Sequence, residues 1–252
     1  LFKKHDIKTT FFTPGHTVDT FPEINKKVFD AGHEIAHHGY YHENPTLIER
    51  DTERRLMDLA FDTYKKHFGI RPTGYRSPYW DYSENTLDLI EEAGFLYDSS
   101  LMARDLVPYR PQRWQVKWEQ GNVAGPASKV LEIPVSWYLD DFPALAYTGN
   151  QEGMSDTDAV LRRWKDVFDY AYANQENAVY AMALHPQIIG QAHHMIMLER
   201  LVEHIKGHDG IWFATCDEIA RAWVDDESDS EKMALPDARG VEPMPADYGW
   251  PK

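Results

Sequence analysis

The sequence predicts an α/β fold, a parallel sheet with helices outside it, and three observations carry that expectation. Short β-branched and aromatic runs alternate along the chain with longer segments of helical periodicity. The breaks between them hold Gly, Pro, Ser or Asn, the residues that stop helices and turn chains. Titratable and aromatic side chains gather just after the strand-like runs, where such folds place their sites. Regular alternation leaves two architectures open, an open sheet and an α/β barrel.

Residues 7–13 (IKTTFFT) are β-branched and aromatic and end at Pro14-Gly15, a strand and a turn. Residues 21–31 read as a helix, with Pro22 near its first position and Gly32 at its end. Residues 34–36 form the next short strand and run into a cluster of histidines. Residues 46–68 carry an apolar stripe of Leu47, Leu56, Leu59, Ala60, Tyr64 and Phe68, and Gly69 stands where a C-cap belongs. A strand at 73–76 precedes a helix at 84–93, with Ser83 as N-cap and Gly94 as stop. Residues 95–97 and 130–133 read as strands, and 156–173 and 192–205 as helices, with the apolar run 178–184 as a buried strand between them. Residues 211–213 are a last strand, and Thr215 with Glu218 makes a capping box for a final helix.

At 252 residues the chain is long enough for a substantial core. A formal charge of −15 argues against nucleic acid and anionic membranes as partners. No run approaches the roughly 18 to 20 apolar residues of a membrane span. The single cysteine, Cys216, excludes an internal disulfide and fits a reducing, cytoplasmic setting. Residues 225–252 hold eight acids, three bases and four prolines, so a loosely attached tail is expected after a domain spanning 1–224. Residues 101–127 include Arg104, Arg110, Arg113, Trp114 and Trp118 and read as an extended surface loop. Such a loop lines a cleft or a subunit contact, and a homo-oligomer is the expected state.

Four histidines fall within ten positions: His33, His37, His38 and His42. Residues four apart share a face of a helical turn, so His38 and His42 can aim two imidazole nitrogens at one point. Neutral imidazole is the commonest protein ligand for zinc and similar ions, and the pair therefore points to a metal site. His33 and His37 are given no role.

Other strand ends add to this one. Arg76 follows the strand at 73–76, Asp98 the strand at 95–97, and His185 the run ending at Leu184. Trp137, Asp140 and Asp141 follow residues 132–135. Taken singly, each has a plain structural reading: His185 as a hydrogen-bonded core histidine, Arg76 as the partner of a carboxylate, Asp98 as a turn cap, Tyr79 and Trp80 as rim packing. The functional reading rests on all of them falling along one edge.

On these residues the chain resembles the polysaccharide deacetylase family, the carbohydrate esterases with the NodB homology domain. Within it, the peptidoglycan-deacetylase-like and allantoinase-like branch is the most similar. His38-Gly-Tyr-Tyr-His42 resembles the motif whose two histidines bind the metal. Arg76-Ser-Pro-Tyr-Trp80 resembles the motif whose arginine holds the catalytic carboxylate, and Leu184-His185-Pro186 the one whose histidine is the general acid. Tyr97-Asp98-Ser99-Ser100-Leu101-Met102 and Glu132-Ile-Pro-Val-Ser-Trp137 look like that branch. The resemblance covers roughly residues 1–224 and implies a distorted (β/α) barrel. The family's first motif, two aspartates on the first strand that act as base and third metal ligand, has no counterpart here. The expectation is an N-terminally truncated chain with its first strand missing.

The resemblance implies a hydrolase of non-peptide carbon–nitrogen bonds that removes an N-acetyl group from an amino sugar or cleaves a related small amide. It implies one divalent ion, expected to be zinc, held by His38 and His42, with Arg76 and His185 as catalytic residues. Tyr79, Trp80, Trp137 and Asp141 are the candidates for substrate binding, the aromatics by stacking on a sugar or a small planar ring. Two alternatives stay open. One is an allantoinase-like cyclic-amide hydrolase, metal-free, whose histidines contact substrate. The other is an inactive carbohydrate-binding or structural subunit.

Overall fold

A computed structural model describes residues 1–115, 121–149 and 153–224. Its strands are, in chain order, β1 (Thr10–Thr13), β2 (Glu34–His37), β3 (Gly74–Tyr75), β4 (Tyr97–Asp98), β5 (Gln112–Gln115), β6 (Val123–Ala127) and β7 (Leu131–Glu132). Strands β1, β2, β3, β4 and β7 form one parallel sheet in that order, and β5 pairs with β6 as an antiparallel hairpin. The helices are α1 (Phe2–His5), α2 (Gly15–Thr20), α3 (Pro22–Asp30), α4 (Arg50–Phe68), α5 (Thr86–Glu92), α6 (Asp141–Leu145), α7 (Thr157–Asn174), α8 (Pro186–Ile189), α9 (Ala192–Lys206) and α10 (Cys216–Val224). No described helix is long and apolar enough to cross a membrane.

The register is what positions the site. Thr13, His37, Tyr75, Asp98 and Glu132 stand in one row across the sheet. Each strand therefore delivers its next residue, among them His38, Arg76 and Ser99, to the same carboxyl-terminal rim. Gly74 is required one residue before this row, because a β-carbon there would collide with the ring of its neighbour Tyr97. Tyr97 is fully buried and its hydroxyl donates to Glu34 Oε1 at 2.7 Å, tying β4 to β2.

Helices cover the sheet as parallel strands require. Helices α7 and α9 bury Trp164, Phe168, Leu201 and Ile205 between them, and Trp164 donates its indole N–H to Tyr138 O at 3.0 Å. Helix α4 packs Met57 and Phe61 against Tyr75 and Phe95. Helix α10 sets Ala220 among Tyr97, Leu131 and Ile133, and its first N–H groups donate to Thr10 Oγ1 and Glu34 Oε2 at 2.8 and 3.0 Å. The capping box at Thr215 and Glu218 is made in both directions, at 2.8 and 3.3 Å.

Several expected elements take another form. Pro14-Gly15 starts helix α2 instead of a turn. Residues 178–184 form one parallel bridge, Asp140 to Ala183, rather than a strand, because Val179 and Ala183 bond to the irregular chain at Leu106 and Leu139. Residues 211–213 join no ladder, so among the described residues the parallel ladder has five strands and does not close into a barrel. The expected loop at 101–127 contains the β5–β6 hairpin, while Trp118 and the tail at 225–252 lie outside the described residues.

Candidate active site

Arg76 and His38 are neighbours because β2 and β3 are. The backbone N–H of Arg76 donates to His37 O at 2.9 Å, carrying the ladder one residue past β3. His38 Nδ1 in turn lies 2.7 Å from Arg76 O. A carbonyl accepts only, so the ring proton sits on Nδ1 and Nε2 keeps its lone pair. Desolvation, reinforced by His42, holds the His38 pKa down to about 3, and burial lowers His42 as well. Both rings are neutral at neutral pH, the form that ligates a metal.

The two histidines meet through a loop and not through the helical turn their spacing suggested. The chain reverses at Gly39 and again at His42, which have φ of 68° and 61°. A histidine in that left-handed region stores strain of about 1–3 kcal/mol, tolerated where surrounding contacts enforce it. Glu43 is the enforcing contact, its carboxylate accepting the N–H of Tyr40 at 3.1 Å and of Tyr41 at 2.7 Å. The His38 and His42 ring centres stand 4.9 Å apart at 80°, and Tyr79 packs edge-on to His42 at 4.7 Å. Among the described residues no third Asp, Glu, Cys or His ligand atom closes on both rings. The donor set fits a zinc-type ion as two of its ligands.

Arg76 donates from Nε to Ser99 O and from its terminal nitrogen to Ser99 Oγ, both at 2.8 Å, and its guanidinium carbon stands 4.0 Å from the Phe12 ring centre. It forms no ion pair with a described carboxylate, although burial already pulls its pKa below the ordinary value. A guanidinium in this setting is a socket for an anion.

Behind it lies a buried polar network. Ser77 N–H donates to Ser100 Oγ at 2.8 Å, and Ser100 Oγ and Tyr82 OH each donate to Asp98 at 2.7 Å. Glu132 Oε1 accepts the N–H of Ser100 and of Leu101 at 2.8 and 2.9 Å. Asp98 and Glu132 are both fully buried; burial raises the pKa of each, and the Asp98 charge raises Glu132 further. Glu132 Oε2 has no hydrogen-bond partner of its own, and a proton placed there and shared with Asp98 satisfies both groups. Asp98 is thus structural.

His185 stands at the N-cap position of α8. Its backbone N–H donates to Asp141 Oδ2 at 2.9 Å and its Nδ1 lies 2.7 Å from Asp141 Oδ1. That side-chain hydrogen bond raises the His185 pKa and directs Nε2 outward from a side chain 37% exposed. Asp141, one of the substrate-binding candidates, is fully buried, and both its carboxylate oxygens bond to His185. Asp140 accepts the Phe142 N–H at 2.6 Å to start α6, and burial raises its pKa to about 6. Ligand atoms of Asp140, Asp141 and His185 lie within 4.8 Å of one another, but both carboxylates are already occupied.

Trp80 and Trp137 form the aromatic wall, with ring centres 4.3 Å apart. Tyr79, 56% exposed, and Trp80 take φ of 61° and 57°, two successive strained positions that turn the segment toward His42. The charge of His185 acts on His42, and that of Arg76 on both Asp140 and His185, so these groups lie close enough to influence one another.

The sequence profile of the polysaccharide deacetylases matches residues 1–97. A peptidoglycan deacetylase of Helicobacter pylori is 35% identical over 234 residues, which cover 87% of this chain and 80% of that protein. The chain belongs to the polysaccharide deacetylase family. Members of the family are hydrolases of non-peptide carbon–nitrogen bonds. A Mycobacterium smegmatis protein assigned to the polysaccharide deacetylases superposes on this deacetylase-family chain with a TM-score of 0.75 at 29% identity, over 88% of this chain and 73% of its own. Puue allantoinase superposes with a TM-score of 0.73 at 28% identity, over 90% of this chain and 70% of its own. The α/β fold is therefore that of the deacetylase and allantoinase structures.

Two residues around these side chains, Glu43 and Asp141, make contacts that the sequence did not foretell. Glu43 had a usable signal, a carboxylate directly behind the second histidine of a glycine-containing loop. Asp141 had none, since its partner lies 44 positions away.

Proposed function

We propose that the chain is a metal-dependent N-deacetylase of an amino sugar. The observation that supports this most is the His38 Nδ1 contact to Arg76 O at 2.7 Å, which leaves Nε2 free beside His42. His38 and His42 would hold the ion, zinc by the chemistry of the donors, and such an ion when bound polarises an amide carbonyl and makes water acidic. Arg76 keeps a carboxylate base ionised and oriented. No described residue supplies that base, so the reading requires one within reach of Arg76. His185, oriented by Asp141, delivers the proton that lets the amine depart. The N–H of Tyr79, which has no acceptor among the described hydrogen bonds, is offered to the developing oxyanion. Tyr79, Trp80 and Trp137 stack on the sugar face.

The test is acetate release from N-acetylglucosamine oligomers and from peptidoglycan by the protein, with its metal content measured alongside. Metal content is expected to fall by one divalent equivalent when His38 and His42 are both changed to Ala. Metal content unchanged in that double variant would place the active-site ion elsewhere. The likeness to Puue allantoinase favours a second reading, hydrolysis of a small cyclic amide. Ring opening of allantoin without acetate release from any acetylated sugar would select it.

A further inference from the structure

We propose a second, structural metal site at Asp169, His204 and His208, which takes one zinc-type divalent ion and braces α7 to the end of α9. Asp169 lies on α7, His204 in the last turn of α9, and His208 just beyond Gly207, where its N–H donates to Ile205 O at 3.1 Å. One ligand atom from each of the three residues lies within 4.8 Å of the other two. His208 Nδ1 is 3.0 Å from His204 O, so that nitrogen carries the proton and Nε2 presents a lone pair. The His208 ring is held between Tyr172 and Phe168, at 4.7 and 5.0 Å centre to centre, so it is already ordered.

His204 Nε2 lies 2.6 Å from Asp169 Oδ1, and His208 Nε2 lies 4.0 Å from the same oxygen. Ligands around a tetrahedral zinc stand roughly 3.3–3.5 Å apart, given bonds of about 2.0–2.1 Å. The first separation must therefore open and the second close, each by less than an ångström. The proton that a neutral His204 shares with Asp169 moves to His204 Nδ1 as Nε2 takes the ion. Two imidazoles and a carboxylate select zinc, nickel or cobalt over magnesium or calcium. The carboxyl-terminal end of a helix also favours a cation.

This site shares no ligand with the first, and the 15 residues of α9, about 22 Å of helix, lie in the chain between His185 and His208. An ion here joins two helices whose contact buries Phe168, Leu201 and Ile205. Its role is to hold the fold.

The test uses the full chain, stripped by chelator and titrated with zinc and with cobalt. In the His38→Ala, His42→Ala background one equivalent should still bind with micromolar or tighter affinity and raise the thermal midpoint. Adding His208→Ala should weaken that binding more than about tenfold and abolish the thermal shift. In the otherwise native protein, His208→Ala should lower zinc content by one equivalent and leave turnover unchanged. Should the background variant fail to fold, this native comparison decides alone. Binding unaffected by His208→Ala, or seen only at millimolar metal, would overturn the proposal.

Discussion

Asp141 grips His185 at two points, accepting its backbone N–H at 2.9 Å and lying 2.7 Å from its Nδ1. A fully buried carboxylate fixes both where the residue begins and how its ring is turned. The side-chain bond raises the pKa of the imidazole, so it stays protonated to higher pH than a free histidine.

Asp141→Asn is therefore expected to damage the alkaline side of the pH profile first. The amide lacks the charge that raises the His185 pKa, so the acidic form is lost at lower pH. A general acid contributes about 10²–10⁴ in rate, and the variant should lose up to that much above neutrality and less below pH 6. Initial rates from pH 5 to 9 measure this, and superimposable profile shapes for the two proteins would refute it.

Glu132→Gln should flatten the dependence of stability on pH. Burial first, then the Asp98 charge, raises the Glu132 pKa, so the folded chain keeps a proton that the unfolded chain releases. Stability then falls as pH rises from the unfolded value of about 4.3 toward the folded one. Glutamine does not titrate and still offers an N–H to Asp98. Urea midpoints from pH 5 to 9 should fall less in the variant, and parallel curves would sink the idea.

Glu43→Ala should loosen metal binding without touching a ligand. The Glu43 carboxylate ties down the N–H groups of Tyr40 and Tyr41, and with them the strained backbone of His42. Loss of such outer support typically costs about 10- to 100-fold in affinity. Competition against a zinc chelator reads this directly; an affinity equal to the parent's would remove Glu43 from the account.

Trp164→Ala should cost about 3–5 kcal/mol of folding stability, since a large fully buried side chain leaves a cavity and Tyr138 O loses its donor. A urea titration that shifts by less than about 1 kcal/mol would show that α7 repacks.

The parts of the fold written in local chemistry were readable. Helix α4 follows from Ala60 and Tyr64 of its apolar stripe and from Gly69, α10 from the pair Thr215 and Glu218, and the placing of His38 and Arg76 from successive strand ends. The rest depends on distant partners. Residues 178–184 are apolar enough for a strand, yet the chain beside them at Leu106 and Leu139 is irregular. The spacing of His38 and His42 suggested a helical turn because period alone cannot see that Gly39 reverses the chain. Asp141 looked like a rim residue because burial is a property of the packed molecule.

Arg76 serves its neighbours through two separate parts of itself. Its carbonyl anchors the His38 ring, and its guanidinium, held by Ser99, awaits an anion. A side-chain substitution deletes the second and leaves the first, because every residue type carries that carbonyl. In the mechanism proposed above, such a substitution removes the partner of the carboxylate base and leaves the backbone contact that orients His38.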